Sequence, residues 1–300
     1  MRGGAGPVYS APGHAFPMTH ETGTLRTADG LDLFTRRWLP DMETRAAVAL
    51  VHGVHEHSGR YAYVASALMR RGVAVHAVDL RGHGQSPGER GRVGSFGEYV
   101  LDAARLLEET LGAAGGTPVF LMGHSMGGLV AAATVVERGA EGLAGLVLSS
   151  AALRVPATTP AALRKLAPLV ARVAPGLPVQ RLDLSGLSRD PVVVRNYGED
   201  PLTTTQAVRA HTANAILEAA ERVRQRPEAF RLPLYLFHGT ADRITDPAGT
   251  RWLAEHAPSD DVTLRLYDGL YHEALNEPER DEVIRDLADW LVDRAGAPAP

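Results

Sequence analysis

The sequence predicts an α/β fold, in which a mostly parallel central sheet is covered by helices on both faces and interrupted by a helical insertion. Short continuous apolar runs recur along the 300-residue chain, as is typical of buried parallel strands. Longer segments between them carry apolar residues at helical spacing. This alternation stops after Ser150 and resumes near Leu234, so the intervening stretch is expected to lie outside the sheet.

The elements are predicted in the following order. An antiparallel hairpin opens the fold, with strand-like runs on either side of a turn at residues 28–30. The buried strands that follow are predicted at 46–51, 74–80, 117–122, 145–150, 234–239 and 262–267. Helices are expected between them, including one at 96–111 and a last one at 278–292. Strands that alternate with helices favour a parallel sheet.

The insertion divides the predicted protein into a core and a cap. Residues 21–150 and 227–294 are assigned to the core, and the proline-rich residues 151–226 to the cap. An insertion between two strands cannot lie within the sheet, so the cap is expected to cover its carboxyl edge. Residues 1–20 and 295–300 are expected to be disordered tails.

Composition excludes several classes of protein. With 45% hydrophobic and 22% charged residues the chain is expected to be globular, and a net charge of −4 gives no reason to propose nucleic acid as a partner. The lack of cysteine excludes disulfides, thiolate catalysis and Cys-ligated zinc. No apolar run approaches the roughly 20 residues of a membrane span, and no secretory signal is recognisable, so a cytoplasmic protein is expected.

A candidate nucleophile stands in the pattern G-x-S-x-G at residues 123–127, with Ser125 at its centre. The pattern lies between a predicted strand and a predicted helix at 128–136, which is the context of a nucleophile elbow. The helix N-terminus beside Ser125 favours negative charge. The same pentapeptide also occurs in strand-to-helix turns without chemistry, so the hypothesis depends on partners elsewhere in the chain.

The partners that a nucleophilic serine needs follow later strands. Asp242 comes after the strand at 234–239, and His272 after the last strand, in the chain order Ser, Asp, His. Ser125 would attack an acyl carbonyl, His272 would take its proton, and Asp242 would orient the imidazole. Two other acids compete for the last role. Asp246, directly before a proline, is instead predicted to be a helix N-cap, and Asp268 a turn residue.

An oxyanion formed at Ser125 needs two backbone N–H donors. The residue after the nucleophile, Met126, is predicted to provide one. The other is expected from the loop that follows the strand at 46–51, where it is placed at Val54.

Histidines crowd the same loop and raise the alternative of a metal site. His52, His55 and His57 stand close together, but the chain has no H-E-x-x-H and the glycines in this loop fix no ligand geometry. We expect no metal there, and His52 and His57 are predicted to hydrogen-bond loop backbone. The glycine-rich residues 81–84 lack the spacing of a phosphate-binding loop and are predicted to form a structural turn.

Five segments together resemble the monoacylglycerol lipase and lysophospholipase-like group of the α/β-hydrolase superfamily, namely residues 52–61, 79–86, 123–128, 239–243 and 267–273. The resemblance implies an α/β-hydrolase fold, and hydrolysis of the ester between one fatty acyl chain and glycerol without metal or cofactor. It also implies a mobile, lipid-facing cap. The sequence departs from the family at His55, where glycine is usual, beside the proposed oxyanion donor.

The resemblance also extends to three polar residues near the site. Glu56 and Arg60 match the family's polar loop, and Tyr197 is similar to a tyrosine of the cap that lines the polar end of the pocket. One hypothesis is that these three seat the glycerol head. The alternative is that Glu56 and Arg60 pair with each other and brace the loop.

One cap segment has the pattern of a basic amphipathic helix. Its apolar residues at helical spacing are Leu163, Leu166, Val170 and Val173, and its basic residues are Arg164, Lys165 and Arg172. Such a helix either lies on an anionic membrane surface or packs its stripe against the core. Pro168 is expected to kink it in both cases.

Together these features predict a serine hydrolase that cleaves medium- to long-chain monoacylglycerols through an acyl-enzyme. A general carboxylesterase or a lysophospholipase with the same three residues is the nearest alternative. A hydrolase-like binding protein without activity is a more distant one, against which the presence of Ser125, Asp242 and His272 argues.

Overall fold

The computed structural model describes residues 20–155 and 161–296. Its strands are β1 (Glu21–Arg26), β2 (Asp32–Trp38), β3 (Ala46–Val51), β4 (Val73–Val78), β5 (Val119–His124), β6 (Leu143–Ser149), β7 (Pro178–Gln180), β8 (Val208–Arg209), β9 (Leu234–Gly239) and β10 (Val262–Tyr267). Its helices are α1 (Ala62–Met69), α2 (Phe96–Ala114), α3 (Met126–Arg138), α4 (Ala161–Val173), α5 (Pro191–Glu199), α6 (Ala210–Arg224), α7 (Pro247–His256) and α8 (Arg280–Ala295). Of the predicted tails, residues 1–19 and 297–300 lie outside the described part of the chain.

Eight strands form one central sheet in the order β1-β2-β4-β3-β5-β6-β9-β10. The β1-β2 and β2-β4 pairs are antiparallel, and the remaining pairs are parallel. The predicted opening hairpin and the predicted parallel sheet are therefore confirmed. Because the six strands from β4 to β10 in this order are parallel, their carboxyl ends lie at one edge of the sheet, and the loops that leave them converge there.

Both faces of the sheet are covered by helices, which creates two apolar cores. On β5 the side chains alternate between them: Val119 and Leu121 belong to the core under α2 and α3, and Phe120 and Met122 to the core under α1 and α8. All four side chains are buried, and burial of an apolar side chain of this size stabilises the fold by about 1.5–3 kcal/mol. Packing from both sides fixes the strand that ends at the candidate nucleophile.

The chain between β6 and β9, which we call the insertion, contains α4, α5, α6 and a two-stranded antiparallel sheet of β7 and β8. The sequence did not predict these two strands. The three residues of β7 are all exposed, so it has no apolar run to distinguish it from a loop. Within the insertion, α6 packs against α3, the helix that follows the candidate nucleophile. The insertion therefore lies over the edge at which the site is formed.

Candidate active site

Ser125 occupies a sharp turn between β5 and α3, with backbone angles φ 55° and ψ −120°. A Cβ atom on Gly123 would lie 2.1 Å from the carbonyl oxygen of Gly127, and one on Gly127 would lie 2.3 Å from that of His52. Only glycine fits at either position, which is the steric reason for the pattern G-x-S-x-G. The positive φ of Ser125 is strained for a residue with a side chain, and the packing around the turn maintains it.

The other two predicted catalytic residues are in direct contact. Nδ1 of His272 lies 2.7 Å from Oδ2 of Asp242, and both side chains are buried. A carboxylate only accepts hydrogen bonds, so Nδ1 carries the hydrogen and Nε2 is left as the basic nitrogen of the neutral ring. This is the tautomer that a general base beside a serine requires.

His272 also lies beside the turn that bears Ser125. Its ring centroid is 4.8 Å from that of His124, the residue directly before the candidate nucleophile. Among the described residues, Ser125 and His272 form no hydrogen bond with each other. The hydrogen bond between a nucleophile and its base often becomes short only when substrate binds. The fold thus brings Asp242 and His272 into contact and places His272 beside the residue that precedes Ser125.

Asp242 accepts hydrogen bonds from four N–H donors, and the hydroxyl of Thr245 also lies within reach of it. Oδ1 accepts from the backbone N–H groups of Ile244 at 2.7 Å and Thr245 at 3.1 Å. Oδ2 accepts from His272 and also from Nε2 of His238 at 2.9 Å. Burial alone would raise the pKa of Asp242, but the two histidines outweigh it and hold the pKa well below its usual range. The carboxylate therefore stays ionised.

The environment of His272 favours its charged form. Burial lowers the pKa of His272, but the charge of Asp242 and the hydrogen bond to it raise the pKa by more, and Glu273 and Glu56 add to the increase. The net pKa lies above the ordinary value for histidine. These surroundings would stabilise an imidazolium at His272, as the predicted role of general base requires.

Both predicted oxyanion donors lie at the same cavity as the candidate nucleophile. Val54, Ser125 and Met126 all line it. Met126 is the first residue of α3, where a backbone N–H has no partner within the helix. A Cβ on Gly53 would lie 3.2 Å from Cβ of Ser125, so the loop that contains Val54 passes directly beside the nucleophile. Both backbone positions therefore border the cavity beside Ser125.

The cavity has a volume of about 350 Å³ and is bounded by the insertion and the core. Most of its lining is apolar, and the larger side chains come from α4, β8, α6 and the loop after β9: Leu166, Val170, Val208, Ile216, Leu217 and Ile244. Ser125 and Thr245 are among its few polar lining residues, together with Arg154 and Gln180. A mostly apolar cavity that is lined by the candidate nucleophile suits an ester whose acyl part is a hydrocarbon chain.

The sequence model of a family described as "Serine aminopeptidase, S33" matches residues 42–279. The monoacylglycerol lipase of Mycolicibacterium smegmatis is 37% identical over 255 residues, which cover 85% of this chain and 91% of the relative. This protein belongs to that family of α/β-hydrolases. The monoglyceride lipase of Homo sapiens is likewise 37% identical, over 282 residues that cover 92% of the hydrolase described here and 93% of the human protein.

Solved structures agree with this assignment. The hydrolase is similar to the monoacylglycerol lipase of Paleococcus ferrophilus, with a TM-score of 0.77 and 35% identity over 87% of this chain and 99% of the other. A soluble variant of the monoglyceride lipase of Saccharomyces cerevisiae, in complex with a substrate analog, has a TM-score of 0.84 over 97% of this chain and all of the other, at 23% identity. The second likeness shows the fold alone, and the predicted α/β-hydrolase fold is confirmed.

Glu56 and Arg60 form a buried network in this hydrolase. Arg60 donates to Glu56 at 2.5 Å and, through both terminal nitrogens, to Glu273 at 2.7 Å. The other oxygen of Glu56 accepts from the backbone N–H of Gly53 at 2.6 Å. The guanidinium also lies 4.6 Å from the ring centroid of Tyr197. None of the three predicted glycerol-binding side chains is among the residues that line the cavity described above, and their contacts favour the bracing alternative.

His55, where the sequence departs from the family, has φ 64°, in the region that favours glycine. Its side chain is buried, and its Nδ1 has no hydrogen-bond partner among the described residues. Its carbonyl oxygen accepts from the hydroxyl of Tyr197 and from the backbone N–H of Thr204, both at 3.0 Å. The loop that contains Val54 is therefore attached to the insertion.

The insertion also contacts the loop that carries the predicted base. The backbone N–H groups of His272 and Glu273 donate to the carbonyl oxygens of Gly186 at 3.3 Å and Leu187 at 2.8 Å. Together with the contacts of His55, these hydrogen bonds join residues 186–204 of the insertion to both loops of the site.

The histidine-rich loop satisfies backbone groups, as predicted. Nε2 of His52 accepts from the backbone N–H of Leu80 at 3.0 Å, so its Nδ1 donates to the carbonyl of Gly53 at 2.7 Å. Nδ1 of His57 accepts from the backbone N–H of Gly59 at 3.1 Å. Within residues 20–155 and 161–296, no group of three or more His, Asp or Glu side chains is arranged to hold a metal ion.

The two competing acids have the structural roles that the sequence predicted. Asp246 is the N-cap of α7 and accepts from the backbone N–H of Ala248 at 2.9 Å. Asp268 lies in the turn after β10 and accepts from the hydroxyl of Thr240 at 3.0 Å. Neither carboxylate has a hydrogen bond to His272 among the described residues.

Proposed function

We propose that this hydrolase is a monoacylglycerol lipase, which cleaves medium- to long-chain monoacylglycerols to fatty acid and glycerol through an acyl-enzyme. The observation that carries the proposal is the mostly apolar cavity of about 350 Å³ that Ser125 lines, in a chain whose relatives include monoacylglycerol lipases. A single hydrocarbon chain would occupy the cavity, with its ester carbonyl at the nucleophile.

In the proposed mechanism, Oγ of Ser125 attacks the ester carbonyl while Nε2 of His272 takes the hydroxyl proton. Asp242 holds the ring in the required tautomer and stabilises the imidazolium. The backbone N–H groups of Val54 and Met126 donate to the oxyanion, and each donor of this kind contributes about 3–4 kcal/mol of transition-state stabilisation. His272 then gives its proton to the departing glycerol oxygen, and water repeats the sequence on the acyl-enzyme.

We further propose that residues 151–226 act as a cap that contacts lipid surfaces. Leu166 and Val170 of α4 line the cavity, whereas Leu169 is 58% exposed and Val173 is 70% exposed. Arg172, which precedes Val173 in the chain, is exposed as well, and a basic side chain beside exposed apolar ones suits an anionic interface. The predicted stripe also includes Leu163, whose side chain, like that of Arg164, lies outside the described residues. No helix in the described part of the chain is both long and apolar enough to span a bilayer.

The enzymatic proposal is tested by initial rates on monoacylglycerols of increasing chain length, with triacylglycerol and lysophosphatidylcholine alongside. Medium- or long-chain monoacylglycerols should lead, and Ser125→Ala should lower kcat by roughly 10⁴–10⁶. If short esters lead, the protein is a general esterase, and if lysophosphatidylcholine leads, it is a lysophospholipase. If the wild type and Ser125→Ala are equally inactive, the protein is a binding protein.

The membrane proposal is tested by co-sedimentation with anionic vesicles at low salt. The wild type should sediment with them, and the double variant Leu169→Asp, Val173→Asp should remain in the supernatant. Leu101→Asp is a matched control, because Leu101 is an exposed leucine of α2, outside the insertion. Failure of the wild type to bind, or equal binding by the double variant, would remove the membrane proposal.

A further inference from the structure

The carboxylate of Asp242 binds two imidazole rings through the same oxygen. Oδ2 lies 2.7 Å from Nδ1 of His272 and 2.9 Å from Nε2 of His238. The side chains of Asp242 and His238 are fully buried, and that of His272 is 4% exposed. The second ring is no part of the mechanism described above, and its position at the end of β9 gave no sign of this contact in the sequence.

The hydrogen bonds of His238 determine how it acts. Because a carboxylate only accepts, Nε2 of His238 carries a hydrogen and donates it to Asp242. Its Nδ1 lies 2.7 Å from the hydroxyl of Thr250 on α7, and in the neutral ring this nitrogen accepts the hydroxyl hydrogen. Thr250 thereby fixes the tautomer in which His238 donates to Asp242.

Thr245 does not replace this donor. Its hydroxyl lies 2.8 Å from Oδ2 of Asp242 and 3.0 Å from the carbonyl oxygen of Ser150, and it has one hydrogen for both acceptors. The hydroxyl can donate to either acceptor, whereas the two imidazole N–H groups must both donate to Oδ2 of Asp242. The negative charge on Oδ2 is divided between the ring that takes part in the reaction and one that does not.

We propose that His238 is a positioning residue that holds Oδ2 of Asp242. Its hydrogen bond weakens the attraction of this oxygen for the proton on His272, and thereby sets the pH at which His272 becomes a base. The inference rests on the proposed function, since it assigns His272 as the general base. A second donor to the carboxylate lowers its basicity, and a less basic carboxylate stabilises the imidazolium less.

Several acidic groups near His272 raise its pKa, and the hydrogen bond from His238 to Asp242 would offset part of that increase. Asp242 contacts the ring, Glu273 follows it in the chain, and Glu56 faces it from the loop after β3. The ring of His124 on β5 lies 4.8 Å away, and burial lowers the pKa of His124 to about 4, so that ring is neutral near pH 7.

Three carboxylates therefore surround one imidazole, and Arg60 pairs with two of them. A base works best when its pKa lies near the working pH. With three acidic neighbours and no second donor on Oδ2, His272 would stay protonated to higher pH and would be a poorer base at neutrality.

The test compares His238→Leu, which removes the donor, with His238→Gln, whose amide N–H reaches the position of Nε2. Two quantities are measured: the pKa of His272 by NMR titration, with His272→Gln to assign the signal, and the midpoint of the acid limb of kcat/KM. His238→Leu should raise both by about half to one pH unit, while His238→Gln should stay near the wild type. His76→Leu, which removes another buried imidazole from β4, is the matched control and should shift neither.

Equal values for wild type and His238→Leu, or equal shifts for the leucine and glutamine variants, would overturn the proposal. If His238→Leu does not fold, Thr250→Val provides the same test, because it removes the hydroxyl that fixes the tautomer. It should raise the pKa of His272 in the same direction by a smaller amount, and an unchanged pKa would overturn the proposal. The NMR measurement needs no substrate, so lack of ester hydrolysis would count against the proposed function alone.

Discussion

Arg60 binds Glu273, the residue after the proposed base, through two parallel hydrogen bonds of 2.7 Å, although the two residues are 213 positions apart. The same guanidinium donates to Glu56 in the loop that also contains Val54. One cation therefore joins the proposed oxyanion loop to the loop of the base. The cluster contains two carboxylates and one guanidinium, which leaves an excess of negative charge beside His272.

Arg60→Gln should lower the free energy of unfolding by about 3–5 kcal/mol, because it leaves two buried carboxylates without their cation. Urea denaturation provides the measurement. Arg92→Gln is the control, since Arg92 pairs with Glu89 at the surface, where solvent screening leaves such a pair little effect on stability. Equal losses in the two variants would show that the buried cluster has no special importance.

Glu273→Gln should move the acid limb of kcat/KM to lower pH. The charge of Glu273 helps to raise the pKa of His272, so its removal lowers that pKa and leaves the base unprotonated at lower pH. The shift has the opposite sign to the one expected for His238→Leu. Glu279→Gln is the control, because Glu279 is exposed and pairs with Arg189. An acid limb that moved to higher pH in Glu273→Gln would contradict the electrostatic argument.

Tyr197→Phe should reduce kcat/KM about fivefold, to the same extent for a monoacylglycerol and for the p-nitrophenyl ester of the same acid. The hydroxyl of Tyr197 donates to the carbonyl of His55, and loss of one hydrogen bond of about 1 kcal/mol would loosen the oxyanion loop for every substrate. A loss confined to the monoacylglycerol, with a higher KM, would instead support the hypothesis that Tyr197 seats glycerol.

Ala213→Phe should shift the preference of the enzyme towards shorter acyl chains. Ala213 lies on α6 and lines the cavity, so a phenyl ring there would occupy space that a long chain needs. The value of kcat/KM for long-chain monoacylglycerols should fall about tenfold or more, while butyryl esters should be affected little. Ala213→Ser, which adds almost no volume, is the control. Equal losses at every chain length would show that the acyl chain binds elsewhere.

The protein should lose stability steeply as the pH falls from 6.5 towards 4. Burial lowers the pKa of five histidines, to about 3 for His83 and to about 4 for the others, namely His55, His57, His76 and His124. Their unfolded-state pKa is near 6.5, so the unfolded chain binds protons first as the pH falls, and the stabilisation present above pH 6.5 is lost.

Each such histidine should add about 1.4 kcal/mol per pH unit to the slope of the unfolding free energy within that range. His272, whose pKa is raised, adds little to the slope in this range, because both the folded and the unfolded state hold its proton below the unfolded-state pKa. His76→Gln should reduce the slope by about one histidine's contribution. A free energy of unfolding that does not change between pH 6.5 and 5 would contradict the prediction.

Most of the sheet could be predicted because parallel strands buried on both faces leave continuous apolar runs. The structure places β3, β9 and β10 at the predicted residues 46–51, 234–239 and 262–267. The strand before the nucleophile was predicted at 117–122 and is observed at 119–124, since His124 continues the ladder although it is polar. The short strands of the insertion had no such pattern, because β7 is exposed throughout.

Site residues that directly follow a strand could also be predicted from the sequence. Residues whose role depends on a tertiary contact could not. Ser125, Asp242 and His272 each follow a strand, and this local pattern can be recognised in the sequence at all three positions. The second imidazole on Asp242 has no such signal, because His238 is the fifth residue of a strand and only the fold shows which way its ring turns. The pairing of Arg60 with Glu273 likewise depends on two distant loops that meet at one edge of the sheet.

The hydrogen bonds between the insertion and the two loops of the site divide the insertion into parts with different freedom to move. Residues 186–204 cannot shift without breaking the bonds that hold the loops of Val54 and His272. The wall formed by Leu166 and Val170 belongs to α4, which precedes β7 in the chain, whereas residues 186–204 follow it. We therefore expect that displacement of α4 would open the cavity to a lipid while the loops of Val54 and His272 keep their positions.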